Sequence, residues 1–431
     1  MLLPARLGPG FRRLVGAAWI TNLGDGMSLA AGPLLVASQT HDPLLVAMAP
    51  LLQQLPWLLL GLPAGAWADR LDRRLLVIGA NLARCGLLAV LVVFLATGHV
   101  SIAVVLAAVF AFGVAEVVAD TTSSTLLPML VEKRDLGVAN SRLMAALLSV
   151  NQLAGPPLGA ALFAVGMVWP FALQLVLVLL GTRILAGLRL PPAPAPRGTR
   201  VRHDVAEGLR WLWSHAPVRT LTLVIVLFNL TWGAAWSVLV LYSTVHLDMG
   251  EIGFGLLTTV GAVGGVLGTF AYRRLEESLP LGALMKGCLL LEVGVHLALA
   301  VNPWPWLALV IMFVFGAYAS VWGALSAAVR QRAVPSEFQG RVASVYLVGV
   351  FGGIVVGSAL GGVVARQWGV VGPFWFAFVG SALTLAVMWR SLDQIAHADA
   401  ENNTEHATEH DTGPGDAPAP AGPASAEAPD Q

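Results

Sequence analysis

The chain has little charge. Of its 431 residues only 12% are Asp, Glu, Lys or Arg, about half the share found in a water-soluble domain, while 57% are hydrophobic. A soluble chain of this length needs far more polar surface to cover itself. The composition therefore excludes that class and fits a protein whose outside meets hydrocarbon. Lysine is almost missing: Lys133 and Lys286 follow Glu132 and Met285, so no Gly-Lys-Ser/Thr phosphate loop can be assembled, and ATP is not expected to power the protein. The two cysteines, Cys85 and Cys288, lie inside apolar stretches, which excludes a disulfide framework and marks them as packing residues. No His or Cys cluster has metal-ligand spacing, and the one close pair, His406 and His410, is not expected to hold a metal. Neither an enzyme, a cofactor nor a nucleic-acid partner is expected.

What is present is a series of long apolar runs. A helix needs about 20 apolar residues to cross a bilayer. Cutting at charges, Pro/Gly clusters and polar runs predicts an all-α membrane protein of twelve spans: Leu14–Ala37, Leu44–Ala68, Leu75–Ala96, Val100–Ala119, Leu143–Val165, Val168–Leu188, Thr220–Val245, Ile252–Tyr272, Leu281–Val301, Trp304–Ala328, Val342–Ala365 and Val370–Trp389. The cut at Gly166 to Pro170 rests on length, since no charged residue occurs between Arg142 and Arg183. Arg12 and Arg13 precede the first run without a small-x-small cleavage site, so that run is expected to be a span rather than a signal peptide.

The net charge of zero hides an asymmetry. After Arg390 there are nine acidic residues and no basic one, so residues 1–390 carry 25 basic against 16 acidic groups. The basic residues gather in alternate loops, at Arg70, Arg73 and Arg74, Lys133 and Arg134, Arg197 to Arg219, Arg273 and Arg274, and Arg330 and Arg332. The opposite loops have Arg366 alone. This bias predicts both termini in the cytoplasm. The Arg/Ala/Gly-rich, Lys-poor composition suggests a bacterium, hence its cytoplasmic membrane.

The halves repeat. GAWADRLDRR (Gly65 to Arg74) corresponds to GTFAYRRLEE (Gly268 to Glu277), and VANS (Val138 to Ser141) to RVAS (Arg341 to Ser344), at displacements of 203 and 204. Two pseudo-symmetric six-helix bundles follow, at 1–190 and 219–392. Between them lies a cytoplasmic segment, 191–218, comprising a Pro-rich linker and an amphipathic helix (Val201–Trp213), and after them a disordered acidic tail, 393–431. Such a duplication is the architecture of a transporter whose halves rock about a midplane site.

These residues resemble the major facilitator superfamily, over nearly all of residues 10–390. The strongest marker is Gly65-x-x-x-Asp69-Arg70-x-x-Arg73-Arg74, similar to the superfamily signature after span 2 except that Asp72 replaces its usual glycine. Span 5 carries Ala154-Gly155-Pro156-Pro157-Leu158-Gly159, similar to the Gly-Pro motif of proton-driven exporters but shortened. Asn22-Leu23-Gly24-Asp25-Gly26, Glu207-Gly208-Leu209-Arg210-Trp211 and Gly340-Arg341-Val342 resemble the branch of enterobactin exporters and macrolide efflux proteins. The resemblance implies a gating latch in which Asp69 faces the N-terminus of span 11 and Arg73 or Arg70 pairs with Asp120 or Glu116. It also implies that spans 2, 5, 8 and 11 join the halves. Their glycines recur every four residues, as in Gly155 and Gly159 beside Pro156, or Gly353 and Gly357. They are read either as a sliding surface or as ordinary close packing.

An ionised carboxylate at mid-membrane costs ~2.5–3.5 kcal/mol on insertion scales. Asp25 lies 11 residues beyond Leu14, about 16 Å deep at 1.5 Å per residue. It is either a proton-coupling acid or the partner of Arg84 in span 3. Glu116 is a second coupling candidate, and Glu292, four residues before His296, is a third or else a local bonded pair. In the resembled fold spans 1, 4, 7 and 10 line the cavity, so Asn229, Trp232, Trp236, Tyr318 and Trp322 are candidate substrate contacts, with Asn22, Asn151 and Gln152 as further polar ones. Aromatic planes with few fixed charges suit a large, partly apolar ligand. The reading is a monomeric, proton-coupled exporter of moderately hydrophobic small molecules such as a drug, siderophore or secondary metabolite. The alternatives are an importer or facilitator on the same fold and a non-transporting sensor.

Overall fold

The computed structural model describes residues 7–188, 201–335 and 337–411, with backbone alone at 69, 146, 201–204 and 393–411. Among them there is no strand. Eleven helices are long and apolar enough to cross a membrane. The twelfth, Gly8–Gln39, is 32 residues long; polar Thr21, Asn22, Asp25 and Ser28 make it less apolar than the rest. These twelve helices are spans 1 to 12 in chain order: Gly8–Gln39, Pro43–Arg70, Arg73–Ala96, Ile102–Ser124, Lys133–Val165, Trp169–Ala186, Ala216–Trp236, Gly250–Ser278, Leu281–Val301, Pro305–Ala333, Gln339–Trp368 and Gly372–Asp411. Spans 5 and 6 are separated by a turn at Gly166 to Val168. Span 5 ends where the Gly166 N–H caps the Leu162 carbonyl at 3.1 Å, and span 6 starts at Trp169 with Pro170 in its first turn.

Local chemistry fixes the helix ends. Asp42 accepts from the Leu44 N–H at 3.0 Å, with Pro43 opening span 2. Asp72 accepts from the Leu75 N–H at 3.0 Å. The departure from the superfamily signature is thus an N-cap for span 3. In span 5 the segment Leu147–Ala154 is π-helical, immediately before Gly155-Pro156-Pro157. Two consecutive prolines remove two N–H donors, and the ladder widens ahead of them. The linker helix, Val201–Ser214, lies against the start of span 11: Glu207 and Arg341 pair at 3.1 Å, and Trp211 stacks on Phe338 at 5.5 Å. Residues 191–200, the rest of the expected linker, are outside the described residues. The last helix continues to Asp411, past the expected start of a disordered tail at 393. Ala and Glu favour helix there, and residues 412–431 are outside the described residues.

Spans 1 to 6 pack mainly on one another, as do spans 7 to 12, and the halves meet along span 2 with span 11 and span 5 with span 8. The glycine faces are mostly the second of their two readings, close packing within a half. Most do not lie between the halves. A Cβ at Gly155 would stand 2.5 Å from the Gly26 backbone in span 1. Gly353 and Gly357 press on the span 7 backbone at Val226 and Leu230, and Gly264 and Gly268 press on span 10 at Phe313 and Ala317. Close approach of backbones is what small residues supply in hydrocarbon, where burial gives no drive, and here it locks each half internally. Gly255 and Gly362 are different: their Cβ positions fall 2.5 Å from Ala160 and 2.8 Å from Ala47 in the opposite half.

Candidate functional site

A cavity of about 240 Å³ lies inside the N-terminal half, walled by spans 1 to 6. On its wall, Asp25 of span 1 forms an ion pair with Arg84 of span 3, buried behind it, so the structural partner considered for Asp25 is present. Span 6 completes the pair: Gln174 Nε2 donates to Asp25 Oδ1 at 3.2 Å, and its Oε1 accepts from the Ser28 hydroxyl at 2.6 Å. Arg84 also donates to Asn81 at 3.3 Å and lies 4.8 Å from the Phe112 ring centroid. Glu116 and Asp120 line the same cavity and act on the Arg84 guanidinium through space. Three carboxylates thus line one cavity, and one of them is paired with a buried guanidinium. Fully ionised, they leave two negative charges in excess within one cavity inside the membrane body, which protons or a cationic solute would neutralise.

A second cavity of about 510 Å³ opens between the halves. Trp232 and Trp236 of span 7 stack at 5.0 Å, and Phe315 of span 10 lies within 6.4 Å of both. Gln53, Gln54, Gln152, Ser237 and Ser358 supply its polar rim. The two cavities share Leu29, Pro33, Pro50 and Gln53, so they adjoin across spans 1 and 2.

The expected site residues divide. Asn22, Asn151, Asp25, Glu116 and Asp120 line the first cavity, and Gln152, Trp232 and Trp236 line the second. Three are turned elsewhere. Asn229 donates to the Ile225 carbonyl at 2.7 Å and faces span 11. Tyr318 is buried and donates to Glu292, and Trp322 packs against the apolar core. Glu292, a coupling candidate, belongs to this local group with His296, 3.7 Å away, and borders neither large cavity. Of the expected latch, Glu116 and Asp120 line the first cavity. Arg73 bonds to the Ala68 carbonyl at 3.0 Å and to Met129 Sδ at 3.3 Å. Arg74 donates to the Ala186 carbonyl. Arg70 is exposed, Gly65 has open space at its Cβ position, and the Asp69 side chain is outside the described residues. Gln174, the keystone of the ion pair, was not anticipated; its one signal is a lone amide in the apolar run of span 6.

Comparison with known proteins agrees with this geometry. A family model described as a transmembrane secretion effector matches residues 4–413. The chain belongs to this family of major facilitator superfamily transporters. It is 28% identical over 366 residues to the multidrug efflux pump Tap of Mycolicibacterium fortuitum, covering 79% of this chain and 87% of the pump. It is 27% identical over 297 residues to Tap of Mycobacterium bovis, covering 66% and 69%. Among solved structures, a bacterial homologue of the iron transporter ferroportin in an inward-facing state superposes with a TM-score of 0.74 at 16% identity, covering 90% of this chain and 98% of that one. The chain is therefore a multi-pass membrane transporter of the major facilitator fold, not an enzyme.

Proposed function

We propose that this transporter exports moderately hydrophobic small molecules in exchange for protons. The observation that carries the reading is the Asp25, Glu116 and Asp120 cluster around Arg84, adjoining an aromatic cavity of ligand size. Protons entering the cluster and a solute held against Trp232 and Trp236 occupy neighbouring spaces with common walls, so occupancy of one acts on the other through Gln53 and Pro33. The pump relatives favour a drug-like solute, with a siderophore or secondary metabolite as the alternative. The present conformation suits release or uptake on the side of the termini. At the other side the halves close through Asp42 and Arg366, 3.9 Å apart, and through Gly362 against Leu44 and Ala47, while Asp120 toward the termini is exposed. With positive charge gathered on the terminal side, that side is the cytoplasm.

The test is efflux of a panel of fluorescent drugs from a pump-deficient bacterial host, with and without an uncoupler. Faster loss that the uncoupler stops, and that Asp25→Asn or Glu116→Gln makes insensitive to the pH gradient, is expected. Uptake in place of loss would assign an importer, and loss that ignores the uncoupler would remove the proton from the mechanism.

A further inference from the structure

A groove of about 560 Å³ runs on the outside of the N-terminal half between spans 3 and 6. Its walls are Ile78, Leu82, Val176, Leu179 and Leu180, with Arg183 at one end. Leu82, Val176, Leu179 and Leu180 are each between 44% and 52% exposed, and the Thr182 hydroxyl is turned onto the Val178 carbonyl at 2.7 Å, so the wall is apolar. From Ala186 to Val176 span 6 rises about 15 Å, which is the depth of one leaflet of hydrocarbon. The mouth is cationic. Arg13 of span 1 donates to the Gly187 carbonyl and Arg74 of span 3 to the Ala186 carbonyl, which fixes two exposed guanidiniums beside exposed Arg183. A guanidinium has five donors, so one carbonyl bond leaves others available to a phosphate. Asp72, the nearest acid in sequence, is occupied as the cap of Leu75.

We propose that this groove is a binding site for an anionic glycerophospholipid of the leaflet on the side of the termini, one acyl chain lying along spans 3 and 6 and the phosphate held by Arg183, Arg13 and Arg74. An apolar slot one leaflet deep that ends in three guanidiniums is complementary to such a lipid in both length and charge. A zwitterionic lipid offers the same chain and phosphate but carries an ammonium that three cations repel. The site joins spans 1, 3 and 6, which hold Asp25, Arg84 and Gln174, so its occupant would bear on the cluster from outside.

Native mass spectrometry of the full-length protein, delipidated and then given equal phosphatidylglycerol and phosphatidylcholine, tests this. Phosphatidylglycerol should be retained severalfold over phosphatidylcholine. Arg183→Gln should reduce that preference about fivefold, Arg183→Lys should keep most of it, and Leu179→Trp, which fills the slot, should lower retention of both lipids. Glycerol 3-phosphate at the same concentration should not displace the lipid. Equal retention of the two lipids, an unchanged preference in Arg183→Gln, or displacement by glycerol 3-phosphate would each overturn the proposal. So would a dimer that Leu179→Trp dissolves, because the groove would then belong to a second copy. Arg183→Lys guards against misfolding as the cause of a loss.

Discussion

Arg84→Met is the most informative single change. Methionine fills a similar volume without the charge, and the site is closed to relaxation by solvent: the Arg84 and Asp25 side chains are 2% and 14% exposed. Removing one partner of a buried ion pair typically costs ~3–5 kcal/mol, because the other charge is left uncompensated. Here a cost within that range is expected, since Asp25 is left buried without its cation. Asp25→Asn combined with Arg84→Met should recover ~1–3 kcal/mol of the loss, the coupling expected of groups in contact. Recovery should stay incomplete, because Glu116 and Asp120 remain. Unfolding of the purified protein by a titration with SDS reads these differences. A single mutant within about 1 kcal/mol of the wild type, or a double mutant no better than Arg84→Met, would show that the guanidinium does not hold the acids in place. The charge-balance argument for proton coupling would then fail with it.

Other changes test other parts of the fold. Gly357→Val should separate span 11 from span 7, since a Cβ there meets the Leu230 backbone; overpacking of this kind costs ~1–3 kcal/mol, and yield and SDS midpoint should both fall. Asp72→Ala should cost ~1 kcal/mol through the lost cap, whereas Asp72→Gly, the residue usual in the superfamily, should cost only a few tenths; a reversed order in the same titration would reject the capping role. Trp236→Ala should weaken binding of aromatic drugs by roughly two- to tenfold, the worth of one stacked pair, while leaving small non-aromatic solutes unaffected in equilibrium binding.

The positions of the spans were legible in the sequence because a bilayer imposes a minimum apolar length, and every run long enough became a helix. The direction in which each helix faces was not. In a soluble helix the apolar stripe marks the core, but in hydrocarbon a leucine is equally at home against lipid. Asn229, Tyr318 and Trp322 therefore looked like cavity residues because their spans line the cavity in the resembled fold, yet they turn to span 11, to Glu292 and to the core. The glycine pattern told that backbones meet closely without telling which ones. Asp25 and Arg84 could be matched by depth alone, since two opposite charges within one six-helix half have few other ways to be tolerated. Gln174 escaped because span 6 is not among the four spans that the resemblance places around the cavity.

The duplication sharpens the role of the cluster. Carried into the membrane, the displacement of 204 residues between Val138 and Val342 sets uncharged Asn229, Cys288 and Ser320 against Asp25, Arg84 and Glu116. Asn229 is satisfied within its own helix, and Cys288 is buried without a charge. Asn229→Asp would then place a carboxylate in the second half with no guanidinium at the position corresponding to Arg84. The cost should approach the ~2.5–3.5 kcal/mol of an unpaired acid at mid-membrane, visible as reduced insertion and a lowered SDS midpoint, while Asn229→Leu, which adds no charge, should be far milder. If Asn229→Asp proved as stable as the wild type, a lone acid would be tolerable at this depth. The presence of Arg84 beside Asp25 would then need a reason other than charge balance.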